Sequence, residues 1–183
     1  MAIYRASIRH SEDSVNAFTR AQFNIFQKKK KTVLFLLAIL LLAAGALGSF
    51  SQGIRMVCLF GGCLVLVDMR YIPRRTAAAM LKKPGVCSEV SYEFKENEIH
   101  VQAENGSTST PYAGLVRLAE DSAYCFLFLS SNAAYTIDKM ALKQEELAGI
   151  KDLAAFGSGL HWVRADGLLT VNLFSLIKEM KRR

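Results

Sequence analysis

The chain has 183 residues, of which 51% are hydrophobic, and 23 Lys and Arg against 16 Asp and Glu give a net charge of +7. This length allows one modest folded domain beside a membrane segment. The basic residues cluster next to two long apolar stretches, and no recognisable nucleic-acid-binding module accompanies them. We therefore expect no nucleic-acid partner.

Residues 1–31 predict a short strand and a helix. Polar and apolar residues alternate from Ala2 to Arg9, which is typical of a half-buried strand. Ser11 or Asp13 can cap the helix that follows. Four apolar residues and Gln22 recur at helical spacing: Val15, Phe18, Gln22, Ile25 and Phe26. This face is expected either to lie on the membrane surface or to pack on the later domain.

Residues 32–72 predict a transmembrane helical hairpin. Every residue from Val33 to Phe50 is apolar or small, and a second apolar run goes from Ile54 to Val67 and can extend to Ile72. Each run gives roughly 27–28 Å of helix, close to the thickness of a bilayer core. The alternative is a buried hairpin of a soluble protein, but so small a chain has too little protein to cover two helices that are apolar all round.

Basic residues flank the two runs and set the expected topology. Since Lys and Arg remain on the cytoplasmic side, both termini should be cytoplasmic and the loop, with only Arg55, outside. The flanking residues are candidate membrane-surface contacts for anionic lipid headgroups. They are Lys28, Lys29, Lys30, Lys31, Arg70, Arg74, Arg75, Lys82 and Lys83.

Small residues inside the hairpin allow close helix contact. They are Ala44, Gly45, Gly48, Gly61 and Gly62. They favour the contact between the two helices of the hairpin, with an oligomer as the alternative. Asp68 is expected at the membrane interface, paired or hydrated, and a proton or ion relay is the other interpretation of an acid near a span.

A basic linker at residues 73–85, with a short helix at Thr76–Leu81, leads to a β domain at residues 86–156. Alternating patterns predict six strands, with a turn at Asn105-Gly106. The strands are centred on Val90–Phe94, Ile99–Ala103, Ser107–Tyr112, Val116–Glu120, Tyr124–Leu129 and Ala134–Ile137. Tyr124–Leu129 is apolar on both faces, which is typical of a central strand. A helix at Leu142–Phe156 follows, with Gly157 as its C-cap.

The sequence predicts a basic amphipathic tail at residues 157–183. Asp166 can cap a helix whose apolar face holds Leu169, Leu173, Leu176, Ile177 and Met180. The tail is expected either to lie on the inner membrane surface or to dock on the β domain.

No motif in the sequence specifies a reaction. The four cysteines contain no C-x-x-C pair, and the three histidines have no metal-ligand spacing. Gly157-Ser158-Gly159 is too short to be a nucleophile elbow, and there is no P-loop. We therefore expect no disulfide, no metal site, no cofactor and no catalytic residue.

Three local phrases carry a family resemblance: Tyr92-Glu93-Phe94, STSTPY at 107–112 and NAAYTIDK at 132–139. In these phrases and in the order of its segments from Ile3 to Ala155, the chain resembles the YcxB-like membrane proteins of bacteria. The resemblance implies a domain of pleckstrin-homology type, a bent antiparallel barrel of seven strands capped by a helix. The strand at the N-terminus could supply the seventh. Asp138 stands where the family often has a proline.

The expected fold class is thus an α+β membrane protein, with a two-helix transmembrane hairpin and a cytoplasmic antiparallel β barrel or sheet capped by a C-terminal helix. The expected location is the cell membrane, with two spans. The favoured function is a non-enzymatic interaction domain held at the bilayer, with an unknown protein partner. The alternative is an oligomeric transporter-accessory or sensor subunit, in which copies of the chain associate.

Overall fold

The computed structural model describes residues 4–82, 86–104 and 106–165. It contains four α-helices and eight strands within these ranges. In chain order they are β1 Tyr4–Arg9, α1 Glu12–Phe26, α2 Lys28–Leu47, α3 Gln52–Leu81, β2 Glu89–Phe94, β3 Glu98–Ala103, β4 Gly106–Pro111, β5 Arg117–Glu120, β6 Tyr124–Ser130, β7 Ala133–Asp138, α4 Gln144–Ser158 and β8 Trp162–Arg164. The class is α+β, as predicted.

The strand at the N-terminus belongs to the first sheet. This sheet has the order β1-β2-β3-β4, and every neighbouring pair is antiparallel. Ile8 lies opposite Val90, and Tyr92 lies opposite Val101, so apolar residues meet on one face. The chain between β1 and β2 contains all three helices of the N-terminal half, yet both strands pair along their whole length.

The second sheet has the order β7-β6-β5-β8. Its three longer strands are antiparallel, but β8 pairs parallel with β5, where Leu118 lies opposite Trp162. The described strands therefore form two four-stranded sheets and not one closed barrel, which corrects the barrel form of the prediction. β8 was not predicted, because a strand of three residues is too short to show an alternation of polar and apolar side chains.

Two apolar cores meet at β6. Cys125 and Leu127 face the core between the sheets and α4, while Phe126 and Phe128 face a second core formed with α1. All four side chains are 0% exposed. The prediction that this strand is central and apolar on both faces is confirmed.

Helix α1 covers the outer face of β6. Its start is fixed by a capping box between Ser11 and Ser14, so Ser11 is the cap. The Phe18 ring stacks on Phe128 at 5.9 Å between centroids, and Phe26 meets the same ring edge-on at 5.1 Å. Of the two predicted positions for this helix, packing on the domain is the one observed.

Gln27 breaks the helical path between α1 and α2, with φ −106° and ψ 29°. The chain therefore changes direction immediately before the four lysines. The run from the first helix into the apolar segment is not one continuous helix.

Helices α2 and α3 form an antiparallel hairpin in which two glycines lie in the contact. A Cβ at Gly45 would lie 2.9 Å from the carbonyl oxygen of Arg55, and one at Gly62 would lie 3.1 Å from that of Ala38. A Cβ at Gly61 would make only an ordinary contact, 3.7 Å from Leu41. Gly45 and Gly62 thus serve the contact within the hairpin, as the favoured interpretation of the small residues predicted.

Helix α3 continues through Pro73 to Leu81. The sequence-based boundary at residue 72 and the separate helix at Thr76–Leu81 therefore fall inside one helix. Met69, Pro73 and Ala77 are spaced about one turn apart and are all buried. Since α3 contacts α1 and Met80 packs on the second core, this part of α3 is held by protein.

Helix α4 closes the end of the first core. The ring of Tyr4 leaves no space for a Cβ at Gly149, and the ring of Tyr112 leaves none at Gly157. The C-cap is Gly159, in the left-handed region at φ 67°, so the prediction of Gly157 was wrong by two residues. Gly157 is instead required by the close approach of Tyr112.

The hairpin contact gives a first test. We expect Gly62→Ala to lower the stability of the protein by about 1–3 kcal/mol relative to Gly61→Ala, because the added methyl group overfills the α2–α3 contact. Both changes remove a helical glycine, so the difference isolates packing. Thermal unfolding in detergent measures it, and equal melting temperatures for the two variants would contradict the contact.

A second test concerns α1. Phe18→Ala should cost about 3 kcal/mol, since it opens a cavity beside Phe128. Phe156→Ala is the matched control: this phenylalanine is 93% exposed, and its loss should change stability by less than about 0.5 kcal/mol. Thermal unfolding of both variants is the measurement, and a Phe18→Ala protein as stable as the control would exclude α1 as part of the core.

Candidate membrane interface

The hairpin carries a continuous set of exposed apolar side chains. Only 11% of the most apolar 18-residue window of α2 and 17% of that of α3 are buried, and both helices are long and apolar enough to cross a membrane. The exposed side chains include Val33, Leu36, Leu40, Leu47, Ile54, Val57, Phe60, Leu64 and Val67. The described protein therefore does not cover these helices as it would the core helices of a soluble fold.

The candidate lipid contacts lie together at one end of the hairpin. Lys28, Lys29 and Lys30 are exposed in the first turn of α2. In the antiparallel contact, Gly45 faces Leu59, and continuing this register brings the start of α2 level with the stretch around Arg70. Exposed basic residues continue from there along α3, at Arg70, Arg74 and Arg75, and at its C-cap, Lys82. Lys83 lies outside the described residues.

Asp68 lies within this basic region and is paired. Its Oδ1 atom is 3.3 Å from a guanidinium nitrogen of Arg75, and both side chains are more than half exposed. One helical turn away, Arg74 lies over the ring of Tyr71, 5.8 Å from the centroid. The pairing expected for Asp68 is observed, and its position at a membrane interface stays a prediction.

Lys31 differs from the other three lysines because its ammonium group contacts protein. It donates a 2.8 Å hydrogen bond to Oδ1 of Asn24, and Nδ2 of Asn24 donates one of 2.8 Å to the carbonyl oxygen of Ala165. Asn24 is 9% exposed and Ala165 is 3% exposed. These bonds connect α2, α1 and the segment after β8 at one point.

Arg55 has a structural role at the opposite end of the hairpin. Its Nε atom donates to the carbonyl oxygen of Gly45 at 3.1 Å, and a second nitrogen reaches that of Ala46 at 3.5 Å. The last carbonyls of α2 lack helical partners, and the positive charge also favours the negative end of the helix dipole. The only basic residue of the loop region thus caps α2.

A second charged cluster lies on the β domain and was not predicted from the sequence. Glu120, at the end of β5, accepts hydrogen bonds from Lys139 and from Lys151 at 3.0 Å, with Lys139 contacting Oε2 at 2.6 Å. Lys151 also lies 5.4 Å from the centroid of the Trp162 ring. Burial raises the pKa of Glu120, but the two ammonium groups outweigh it and hold the pKa below its ordinary value. The cluster joins β5, the turn after β7, α4 and β8. Its members are far apart in the chain, so the sequence does not indicate that they meet.

The cysteines and histidines of the described ranges lie apart. No three His, Cys, Asp or Glu residues gather there as metal ligands. Cys125 is fully buried, and this burial raises the pKa of its thiol to about 11. Its thiolate fraction near neutral pH is therefore very small.

The fold and this interface define a class: an α+β protein in which a two-sheet domain is attached to a hairpin long and apolar enough to cross a membrane. Residues 94–154, from the end of β2 into α4, match the family model of the YcxB-like protein. The resemblance to the YcxB-like family is thus confirmed for this segment, which makes up less than half of the chain. The matched segment does not include the hairpin. Neither the curated proteins nor the solved structures give a match to the chain.

The Glu120 cluster predicts a pH dependence. Because the folded pKa is depressed below 4.5, the cluster stabilises the protein above that pH, and this contribution is lost as the pH falls through the folded pKa. Glu120→Gln should therefore lower stability by about 1 kcal/mol near pH 7, a modest value because water screens the partly exposed pair. The difference should shrink as the pH falls below 4.5 and through the folded pKa.

Unfolding of both proteins across this pH range is the measurement. Glu96→Gln, in the exposed turn between β2 and β3, is the control for loss of one carboxylate. A deficit of Glu120→Gln that stays constant down to low pH would show that the charge of Glu120 is not its source.

Proposed function

We propose that this protein is an integral membrane protein that spans the cell membrane twice and presents a non-enzymatic, pleckstrin-homology-like interaction domain on the cytoplasmic side. The observation that carries the proposal is the attachment of the β domain to the basic end of the exposed apolar hairpin. That attachment is made by α1, which lies between α3 and the outer face of β6. It is a packed contact rather than a flexible linker.

The pleckstrin-homology likeness is supported by the arrangement of the strands and α4. One sheet has β1 to β4, the other has β5 to β7 in sequence order, and α4 closes one end of the core between them. β8 is an eighth strand beyond the seven of the pleckstrin-homology arrangement, and the two sheets do not join into a barrel. The non-enzymatic role rests on the sequence, which contains no motif for a reaction. Turnover of an ester or nucleotide panel by the purified protein would overturn it.

The orientation rests on the charges. Eight of the nine candidate contacts lie in the described ranges at the end of the hairpin that carries the domain, and Arg55 near the other end is engaged with α2 carbonyls. By the positive-inside rule, the domain and both termini are then cytoplasmic. Anionic headgroups of the inner leaflet would interact with the exposed basic residues.

Thiol labelling tests this orientation. A membrane-impermeant maleimide should label Ser49→Cys, in the loop between α2 and α3, in intact cells. Native Cys87 is exposed on the domain side and should react only after permeabilisation. Cys125 should stay unreacted in the folded protein because its thiol is buried. The chain without the Ser49→Cys change is the control, and labelling of Cys87 in intact cells would contradict the orientation.

Photocrosslinking in living cells tests the interaction role. A photoreactive amino acid at Phe156 or Met140, the most exposed large apolar residues of the β domain, should join the domain to a defined partner. The same group at Leu40 on the hairpin should give mainly lipid adducts. Crosslinks between copies of the chain from Leu40, with none to another protein from Phe156, would instead support the oligomeric accessory or sensor subunit.

A further inference from the structure

Strand β4 is an edge of the first sheet. Among the described residues it is hydrogen-bonded to β3 on one side and pairs with no strand on the other. The opposite edge of this sheet, β1, packs beside β7, and the free edge of the second sheet is β8, which has only three residues. The predicted tail at residues 166–183 lies outside the described ranges. The described part of the chain thus leaves the outer edge of β4 open to pairing along its whole length.

The hydrogen-bond register shows which backbone groups of β4 point towards β3. The amide of Tyr112, just after β4, donates to the carbonyl oxygen of Asn97 at 3.3 Å. In an antiparallel ladder, hydrogen-bonded and non-hydrogen-bonded pairs alternate. Thr110 and Thr108 therefore direct their backbone amides and carbonyls to β3.

The residues between them direct their backbone groups outward. Ser107 and Ser109 each present an amide and a carbonyl oxygen at the open edge, whereas Pro111 presents only a carbonyl oxygen. The side chains from Gly106 to Ser109 are exposed, so none of them is buried in the way of an approaching strand.

Strand β4 also lacks the charges by which edge strands ordinarily resist pairing. Arg5 and Arg9 lie on β1, Asp138 lies on β7 and Arg164 lies on β8. By contrast, β4 has the sequence GSTSTP and no charged side chain. Charged residues on an edge strand oppose the approach of another sheet. Two copies of β4 can therefore approach each other without repulsion between their own side chains.

We propose that β4 pairs antiparallel with β4 of a second copy of this chain, so that the two first sheets become one continuous sheet. Such a pair has two-fold symmetry. A register centred on Thr108 places Ser107 opposite Ser109 of the other copy, and each such pair exchanges two N–H···O bonds. Centring on Ser109 would place Ser107 opposite Pro111, which has no amide. Centring on Ser107 would place Ser109 beyond the end of the other strand.

The side chains beside β4 suit this register. Ser107 and Ser109 lie next to Gln102 and His100 of β3, and Nδ1 of His100 is 3.0 Å from Oγ of Ser109. In the joined sheet, His100 and Ser109 form one row with Ser107 and Gln102 of the other copy, and all four side chains can donate and accept hydrogen bonds. At the centre, the two copies of Thr108 form a cross-strand threonine pair, which is favourable.

This pairing goes beyond the proposed function and uses only the β domain. It does not depend on the membrane location, and it involves a different surface from the hairpin contact of the oligomeric accessory or sensor subunit. A pair of six-residue strands makes a small interface, so we expect reversible association. Covalent trapping is therefore the suitable measurement.

Disulfide trapping of the purified full chain in detergent micelles tests the pairing. In the proposed register, the two copies of Thr108 form a non-hydrogen-bonded pair with Cα atoms about 4.5 Å apart, which a disulfide can bridge. Thr108→Cys should therefore give a covalent dimer on mild oxidation. Ser107→Cys is the matched control: it is equally exposed, but its Cα atom would lie about 8–9 Å from its counterpart, too far for a disulfide. We expect at least about fivefold more dimer from Thr108→Cys.

The background of both variants is free of other accessible thiols. Cys58, Cys63 and Cys87 are replaced by alanine, and Cys125 is kept because it is fully buried. Equal amounts of dimer from Thr108→Cys and Ser107→Cys would show random collision or association through the hairpin, and would overturn the pairing of β4.

A proline at the open edge supplies the second variant. Ser109→Pro removes an amide that β3 does not use, so the domain should unfold within a few degrees of the parent protein. The same change should abolish the Thr108→Cys dimer, because two of the N–H···O bonds between the copies are lost. A dimer that persists in the folded Ser109→Pro protein would contradict the proposal.

Oxidation in isolated cell membranes distinguishes the second copy from another occupant. We expect the Thr108→Cys dimer there as well. A disulfide between Thr108→Cys and a different protein, without the dimer, would overturn the second copy as the partner of β4.

Discussion

Burial of both faces of β6 is the constraint on which the rest of the structure depends. A strand at the surface of a two-sheet domain needs only one apolar face, yet Phe126 and Phe128 point away from the core between the sheets. Two large aromatic side chains on an open face would each leave considerable apolar area in water. Helix α1 removes that area, so the position of α1, and of the hairpin that follows it, is fixed by the domain.

The same constraint explains the unequal lengths of α2 and α3. Helix α2 has 20 residues and α3 has 30, so α3 extends by roughly 15 Å beyond its partner. Along this extension α3 packs on α1 and no longer on α2. Helices α1 and α2 are consecutive in the chain, and the break at Gln27 between them allows each to contact a different part of α3. Pro73 lies on the buried face of α3 between Met69 and Ala77, and packing of this face offsets part of the cost of a proline inside a helix.

Local features of the fold could be predicted from the sequence, and long-range features could not. The apolar runs, the alternation in β2 and β3, the turn at Gly106 and the Ser11 cap all act within a few residues. The parallel pairing of β8 and the continuation of α3 past Pro73 depend on contacts between distant segments. At the candidate membrane interface, the basic residues could be predicted because they stand next to the two apolar runs. Nothing in the sequence indicates that Asn24 connects Lys31 to Ala165, since an asparagine in an amphipathic helix is ordinarily solvated.

Asn24 also shows how one buried polar side chain coordinates three segments. A buried amide must find hydrogen-bond partners, and Asn24 offers both an acceptor, used by Lys31, and a donor, used by the carbonyl oxygen of Ala165. An apolar residue at position 24 would fill the same space but would leave that backbone carbonyl without this donor, in a site where Ala165 is almost fully buried. The domain, α1 and the first turn of α2 thus share one satisfied polar contact. Movement of α2 relative to α1 must break the hydrogen bond from Lys31 to Asn24.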